Sequence, residues 1–408
     1  MPDQTSRPTL ERVPTGVPGL DTVLHGGLLR GGIFIIEGSP GAGKTILGNQ
    51  ICFRHVANGN HALYVTLLAE NHARMLLHIG QLGFFDETVI PRRLYYISAF
   101  RVLEEAGLAG VLDLLRREMQ AHDASVLVLD GLSAIEDTAA STRELKKFLH
   151  QLQAHATIAN CTMLLLTGAK PAAAEHTLVD GVVELQTQLY GRRAERRLQV
   201  HKLRGSGYMR GEHSYRITGD GIVVYPRTEA LLAAPTTMDS VTGPPLTTGL
   251  EQLDRMMGGG FPHSSTALLI GPPGVGKTTL GLQFLSECDE NNRGLLFGFY
   301  ETPAAIRDKA VALGLPLERL IAAGHVEILW QPTTQGLLDE ASQRLVENVK
   351  RRGIRRLFID GLQGFEKLAT DRDRLGHIFS ALSSEFRGLG VSTVYTSEAD
   401  LVGSVAGL

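Results

Sequence analysis

"PTGVPGLDTVLHGGLLRGGIFIIEGSPGAGKT" (residues 14–45) returns, at the same length and in the same order, as "TTGLEQLDRMMGGGFPHSSTALLIGPPGVGKT" (residues 247–278). Thr15, Leu20, Asp21, Gly26, Gly27 and Lys44 recur as Thr248, Leu253, Asp254, Gly259, Gly260 and Lys277, each 233 positions later. Self-similarity on this scale marks two domains built from one unit. Each copy opens on an apolar run, "GIFIIEG" at 32–38 and "TALLIG" at 266–271, then passes through a glycine-rich turn into a helical pattern. Strand, loop and helix, in that order, form the setting in which a GxxxxGK[ST] sequence cradles phosphate.

The two loops run Gly38, Ser39, Pro40, Gly41, Ala42, Gly43, Lys44, Thr45 and Gly271, Pro272, Pro273, Gly274, Val275, Gly276, Lys277, Thr278, the second followed by Thr279. Their glycines let the backbone curl so that N–H groups point at phosphate oxygens, and Lys44 and Lys277 meet the β- and γ-phosphates. The hydroxyls of Thr45 and Thr278 can ligate Mg²⁺. The apolar runs "VLVLDG" (126–131) and "RLFIDG" (356–361) carry Asp130 and Asp360 to strand ends, where a carboxylate holds that ion directly or through its outer sphere. ATP and Mg²⁺ are therefore the expected cofactors. One glycine-rich turn could bind nothing; two, each with a strand before, a helix after and a spaced acidic strand end, point to nucleotide.

A further pair of apolar runs, "CTMLLLTG" at 161–168 and "VSTVYTSE" at 391–398, extends the repeat. Strands separated by helical stretches predict an α/β fold: two tandem P-loop domains, each a mostly parallel sheet with helices on both faces. The expected organisation is a flexible N-terminus over residues 1–10, a first domain over 11–227, a linker over 228–245 and a second domain over 246–408. The linker "TEALLAAPTTMDSVTGPP" is rich in Thr, Pro and Ala and reads as exposed.

Hydrolysis also needs a carboxylate beside the attacking water. The candidates are Glu70 in "YVTLLAENHA" and Glu301 in "LLFGFYETPA", each 13 residues before the glycine of a Leu-Gly pair, Gly83 and Gly314. A lone Glu after a strand is ordinarily a helix N-terminal residue favoured by the dipole. Recurrence at one register beside a phosphate loop favours the catalytic role.

The 408 residues, 43% of them hydrophobic, suit two ordinary domains. A net charge of −3 argues against a protein that lives on nucleic acid. Cys52, Cys161 and Cys288 show no disulfide or zinc spacing and read as reduced, packed thiols. The opening "MPDQTSRPTLERVP" has no apolar core for export, and no run reaches the roughly 18 apolar residues a membrane span needs. A cytoplasmic, membrane-free protein is expected. "GRRAERR" (191–197) reads as a solvated hairpin and "KRRGIRR" (350–356) as a helix C-terminus entering a strand. The histidines, His72, His78 and His201 among them, show no metal-ligand spacing and default to surface or core roles.

With these residues in place, the chain resembles the KaiC-like branch of the RecA superfamily, double-domain P-loop ATPases that include a cyanobacterial clock protein. The resemblance runs from Glu11 to the C-terminus. It rests on "TGVPGLDTVLHGGLLRGG", the two loops and "LVDGVVELQTQLYGRRAERRLQVHKLRGSGYMRGEHSYRITGDGIVVYP" (178–226). It implies a hexameric ring of identical chains with nucleotides between subunits, and it implies that Lys202 and Arg204 reach the γ-phosphate held by a neighbour. Spacing alone leaves these two as cations guarding an edge strand.

Two departures qualify the resemblance. Where the clock protein carries adjacent glutamates, this chain has Ala69 before Glu70 and Tyr300 before Glu301, a pattern closer to the single glutamate of RecA-type recombinases. Hydrolysis is expected, and Ser/Thr autokinase activity is left open. The second counterpart of the Lys-x-Arg pair would fall beyond Leu408, so the second domain is expected to be incomplete at its C-terminal end. The expected function is an oligomeric ATPase acting in signalling or timing through protein partners. The alternatives are a DNA-dependent recombinase-type motor and an ATP-binding regulatory scaffold.

Overall fold

The computed structural model describes residues 10–67, 72–169, 174–237 and 243–398. The chain divides into two compact units, Met1–Pro226 and Arg227–Leu408.

In the first unit a two-stranded ribbon, β1 (Arg12–Val13) and β2 (Leu28–Leu29), precedes a nine-stranded sheet. That sheet comprises β3 (Ile33–Gly38), β4 (Ala62–Thr66), β5 (Leu94–Ser98), β6 (Val126–Asp130), β7 (Thr162–Thr167), β8 (Gly181–Tyr190), β9 (Arg193–Leu203), β10 (Glu212–Thr218) and β11 (Gly221–Tyr225). Its order is β11-β10-β9-β8-β3-β7-β6-β4-β5. The strands from β8 through β3 to β5 pair in parallel, whereas β8 to β11 form an antiparallel meander. A strand buried on both faces reads as a nearly continuous apolar run. In β3, Ile33 and Ile35 enter the core on one face while Phe34 and Ile36 enter the core on the other.

The second unit repeats the parallel part. Its strands β12 (Thr266–Gly271), β13 (Gly294–Gly298), β14 (Val326–Trp330), β15 (Arg356–Asp360) and β16 (Ser392–Glu398) lie in the order β12-β16-β15-β13-β14. This matches β3-β7-β6-β4-β5 strand for strand. The architecture is the expected α/β class, with helices flanking mostly parallel sheets. Among the described residues β12 pairs only with β16, and its Leu268 and Ile270 are 39% and 54% exposed.

Each loop leads into a helix, Lys44–Ala57 or Lys277–Ser286. Both helices lie close on their sheet at a glycine of the repeat. A Cβ on Gly281 would stand 2.1 Å from the Phe358 ring, and one on Gly48 would press Val128 at 3.1 Å. The meander braces the first helix from behind. Gln50 exchanges two buried hydrogen bonds with the Ile222 backbone, and the Tyr215 hydroxyl donates to the Ala42 carbonyl at 2.5 Å.

Three sequence expectations meet a different local outcome. "GRRAERR" does turn between β8 and β9, but it is not simply solvated: Glu195 and Arg197 are buried and paired at 2.6 Å, with Arg193 on the other Glu195 oxygen at 2.7 Å. The stretch read as linker starts as a helix, Thr228–Leu231, whose first residue bonds Asp339 Oδ1 through both N and Oγ1 at 2.9 Å. Arg204 lies one residue beyond the end of β9 rather than within it. The three cysteines are free and buried, as expected. None of the helices among the described residues is long and apolar enough to cross a membrane.

Candidate nucleotide sites

Parallel sheets place ligands at the carboxyl ends of their strands, and both loops lie there. Gly41 and Gly43 adopt φ of +79° and +102°, and Gly274 and Gly276 adopt +81° and +100°. A side chain at these positions would force the left-handed region, which other residues enter only at a cost. Gly43 and Gly276 are also the N-caps of their helices, and neither end is capped by a side chain. The first N–H groups of each helix are therefore available to an anion.

Lys44 Nζ folds back on the carbonyls of Gly38 at 2.7 Å and Ser39 at 3.1 Å. Lys277 Nζ does the same with Gly271 at 2.7 Å and Pro272 at 2.8 Å. Burial presses the Lys44 amine below the usual lysine range, and the negative charge of Asp130 opposes that shift. The Thr45 hydroxyl donates to Asp130 Oδ2 at 3.2 Å, and the Thr278 hydroxyl to Asp360 Oδ2 at 3.0 Å. A hydroxyl beside a carboxylate at a loop rich in free N–H groups is an oxygen donor set of the kind that suits Mg²⁺ with phosphate.

The two carboxylates are steadied from opposite sides. Asp130 receives the buried Tyr64 hydroxyl at 2.7 Å, from β4. Asp360 receives the Thr396 hydroxyl at 2.7 Å, from β16. The equivalent positions are apolar in each case, Leu296 in β13 and Leu166 in β7, so the two units draw these bonds from different neighbouring strands. Sequence reading did not single out Tyr64 or Thr396. The available signal was a polar residue interrupting an apolar strand beside the one that ends in Asp.

In the second unit the loop opens on a cavity of about 390 Å³ lined by Gly274, Gly276, Lys277, Thr278, Thr279, Glu301 and Asp360. The structure thus gathers the loop residues, the strand-end acid and Glu301 around one space. It adds Lys309, whose Nζ lies 2.5 Å from Glu301 Oε1, and Gln363. Tyr300 lies over Gly361, where a Cβ would come within 2.7 Å of its ring, and takes Lys367 against its face at 4.7 Å. Glu70 lies outside the described residues.

Lys202 and Arg204 do not turn toward Gly38–Thr45 of their own unit among the described contacts. Lys202 Nζ donates to the carbonyls of His176 at 2.8 Å and Thr177 at 3.2 Å. Arg204 Nη2 donates to the same Thr177 carbonyl at 2.7 Å. Burial, and then the neighbouring Arg204 charge, hold the Lys202 amine below the usual lysine range.

A family model described as "ATPase: KaiC" matches residues 13–229 and 246–406. The chain is 26% identical over 378 residues to a "Circadian clock oscillator protein KaiC" of Picosynechococcus sp., covering 89% of this chain and 72% of that protein. It is 26% identical over 368 residues to a protein of the same description from Parathermosynechococcus lividus, covering 86% and 67%. Against "Circadian clock oscillator protein KaiC 1" of Synechocystis sp. the identity is 25% over 386 residues, covering 90% and 72%.

Proposed function

The chain belongs to the KaiC ATPase family and carries its domain twice, and on that premise we propose that it binds ATP with Mg²⁺ at both loops and hydrolyses it between the subunits of a cytoplasmic homo-oligomeric ring. The observation that carries this reading is the doubled site: loop lysine, Thr–Asp pair and uncapped helix N-terminus occur twice in the same relation. The loop N–H groups and Lys44 or Lys277 hold the phosphates. Thr45 with Asp130, and Thr278 with Asp360, hold the metal ion, which when bound offsets charge on the β- and γ-phosphates.

Glu301 orients and deprotonates the attacking water in the second unit, and Glu70, the residue at the same register, does so in the first. Glu301 must first give up part of its pairing with Lys309, so that pair restrains the base until nucleotide arrives. Lys202 and Arg204 act on the γ-phosphate of the neighbouring chain, a role supported by the family resemblance. The names of the relatives support an output in timing, which the ring would deliver through protein partners. Ser/Thr kinase activity is the weaker part of this reading, since Ala69 and Tyr300 stand where a second acid would be.

Single-turnover ATP hydrolysis, with and without single-stranded DNA, tests the proposal. Hydrolysis that depends on Lys44 and Lys277 and is indifferent to DNA is expected. Stimulation by DNA moves the assignment to a recombinase-type motor, and binding without turnover moves it to a scaffold.

A further inference from the structure

Glu37, His176, Glu184 and His201 come from four separate segments and meet beside the first loop. Glu37, the penultimate residue of β3, is 4% exposed. Its register partner across the parallel pair of β3 and β8 is Glu184, so two carboxylates stand side by side on one face of the sheet. His176 Nε2 lies 3.0 Å from Glu37 Oε2, and His201 Nε2 lies 2.7 Å from Glu184 Oε2. One ligand atom from each of Glu37, Glu184 and His201 lies within 4.8 Å of the other two.

The backbone is adjusted to bring His201 there. The pairing of β8 with β9 shifts between Val182↔Lys202 and Val183↔Val200, leaving His201 as the extra residue of a β-bulge. Bulges re-aim a side chain and recur beside functional sites. Without it, strict alternation could not place both His201 and Lys202 away from the core face that holds Val200 and Leu203.

The two adjacent carboxylates, each with a histidine beside it, offer a place for a cation. Like charges directly opposite one another across strands repel. The basic side chains of Lys202 and Arg204 are turned elsewhere, Lys202 to backbone carbonyls and Arg204 to the Thr177 carbonyl and the Asp180 carboxylate.

We propose that Glu37, Glu184, His176 and His201 form a binding site for a first-row divalent transition metal ion, Zn²⁺ being the representative case. Two imidazoles with two carboxylates are the donor set of such ions, whereas Mg²⁺ and Ca²⁺ favour oxygen alone. Metal–ligand distances of about 2.0–2.2 Å at a tetrahedral angle separate N from O by about 3.4 Å. Each His–Glu contact therefore has to open by well under 1 Å, the remaining pairs among Glu37, Glu184 and His201 have to close from within 4.8 Å, and His176, which stands outside that group of three, has to swing in; the histidines have room, the side chains of His176 and His201 being 22% and 39% exposed. The ion would fasten the 174–177 turn to β3, β8 and β9. It would also order Thr177 and Lys202, which directly follow its two histidines.

The test uses the full chain, stripped with a chelator and free of nucleotide. Co²⁺ is titrated while its visible d–d absorption is followed, and Zn²⁺ is then added as competitor. One ion per chain is expected, with a tetrahedral-type spectrum, displacement by Zn²⁺ and a rise in melting temperature. An Asp130→Asn, Asp360→Asn double variant should keep all of this. His201→Gln and Glu184→Gln, at solvent-reachable positions, should each weaken binding by more than the about 10–100-fold that loss of an outer-sphere partner costs. Absence of the band in the unaltered chain, or a band unchanged in both His201→Gln and Glu184→Gln, overturns the proposal.

Discussion

Tyr64 donates a 2.7 Å hydrogen bond to Asp130 Oδ2, the oxygen that Thr45 also reaches at 3.2 Å. The ring is fully buried, and burial, followed by the charge of Asp130, raises the phenol well above its usual range, so it stays a donor. Tyr64→Phe leaves a carboxylate without this partner and should destabilise the first unit by about 1–3 kcal/mol. It should also weaken Mg²⁺-dependent nucleotide binding while leaving binding in chelator unchanged. Thr396→Val is the equivalent change for Asp360. Calorimetric melting with nucleotide titrations in Mg²⁺ and in chelator checks both, and an unchanged Mg²⁺ dependence would remove Tyr64 from the site.

Lys44→Ala and Lys277→Ala should each abolish one bound nucleotide per chain and leave the other. Equilibrium dialysis with labelled ATP measures the count. Loss of both nucleotides from a folded single variant contradicts two independent sites.

Glu301 is held by Lys309 at 2.5 Å within the second-unit cavity. In a Lys44→Ala background, Glu301→Gln should slow turnover by about 10²-fold or more with little change in ATP affinity, as loss of a general base does. Glu70→Gln in a Lys277→Ala background should behave alike. Full turnover in either variant returns that glutamate to a surface role.

Lys202 and Arg204 share the Thr177 carbonyl, which brings both cations to one place. A cation supplied in trans to a transferring phosphate is worth about 10³–10⁵ in rate. The double variant Lys202→Ala, Arg204→Ala should therefore lose turnover with little loss of stability. Mixed with Glu70→Gln protomers, it should regain activity at interfaces where intact acid meets intact cations. No rescue at any mixing ratio means the pair acts in cis or not at all.

The start of the expected linker is pinned to the second unit by acids. Arg374 reaches Glu229 and the fully buried Asp339, each at 2.8 Å, and Glu385 accepts from Thr236 N at 2.7 Å and pairs with Lys350 at 2.6 Å. Burial alone would raise both glutamates, but hydrogen bonds and charge from Arg374 on Glu229, and from Lys350 and Thr236 on Glu385, hold each below its ordinary 4.5. A depressed folded-state pKa contributes stability above the unfolded value, and that stability is lost as pH falls through the folded one. Unfolding of the second unit should therefore ease as pH drops below about 4.5. Arg374→Met should cost about 3–5 kcal/mol near neutrality by stranding Asp339 and flatten that pH dependence. Denaturant titrations from pH 3 to 7 read both effects.

The repeat, the two GxxxxGK[ST] loops and the acidic strand ends were legible in the sequence because each is a local pattern. A GxxxxGK[ST] turn, a strand beside it and a helix after it depend on residues within one turn of chain, and their recurrence 233 positions later removes chance. Parallel pairing followed from nearly continuous apolar runs, since strands covered on both faces carry few polar positions. What joins distant segments was not legible. Tyr64 meets Asp130, and Thr396 meets Asp360, only through the order of strands in each sheet. Arg197 and Glu195 look like a solvated charge run until the meander buries them together. His201 has no spacing to any other ligand along the chain. A one-residue bulge and the register of β3 with β8 set it beside Glu184 and Glu37. Sequence specifies which side chains a strand carries, but the face they share with another strand turns on register, where a shift of one residue sends every side chain to the opposite side.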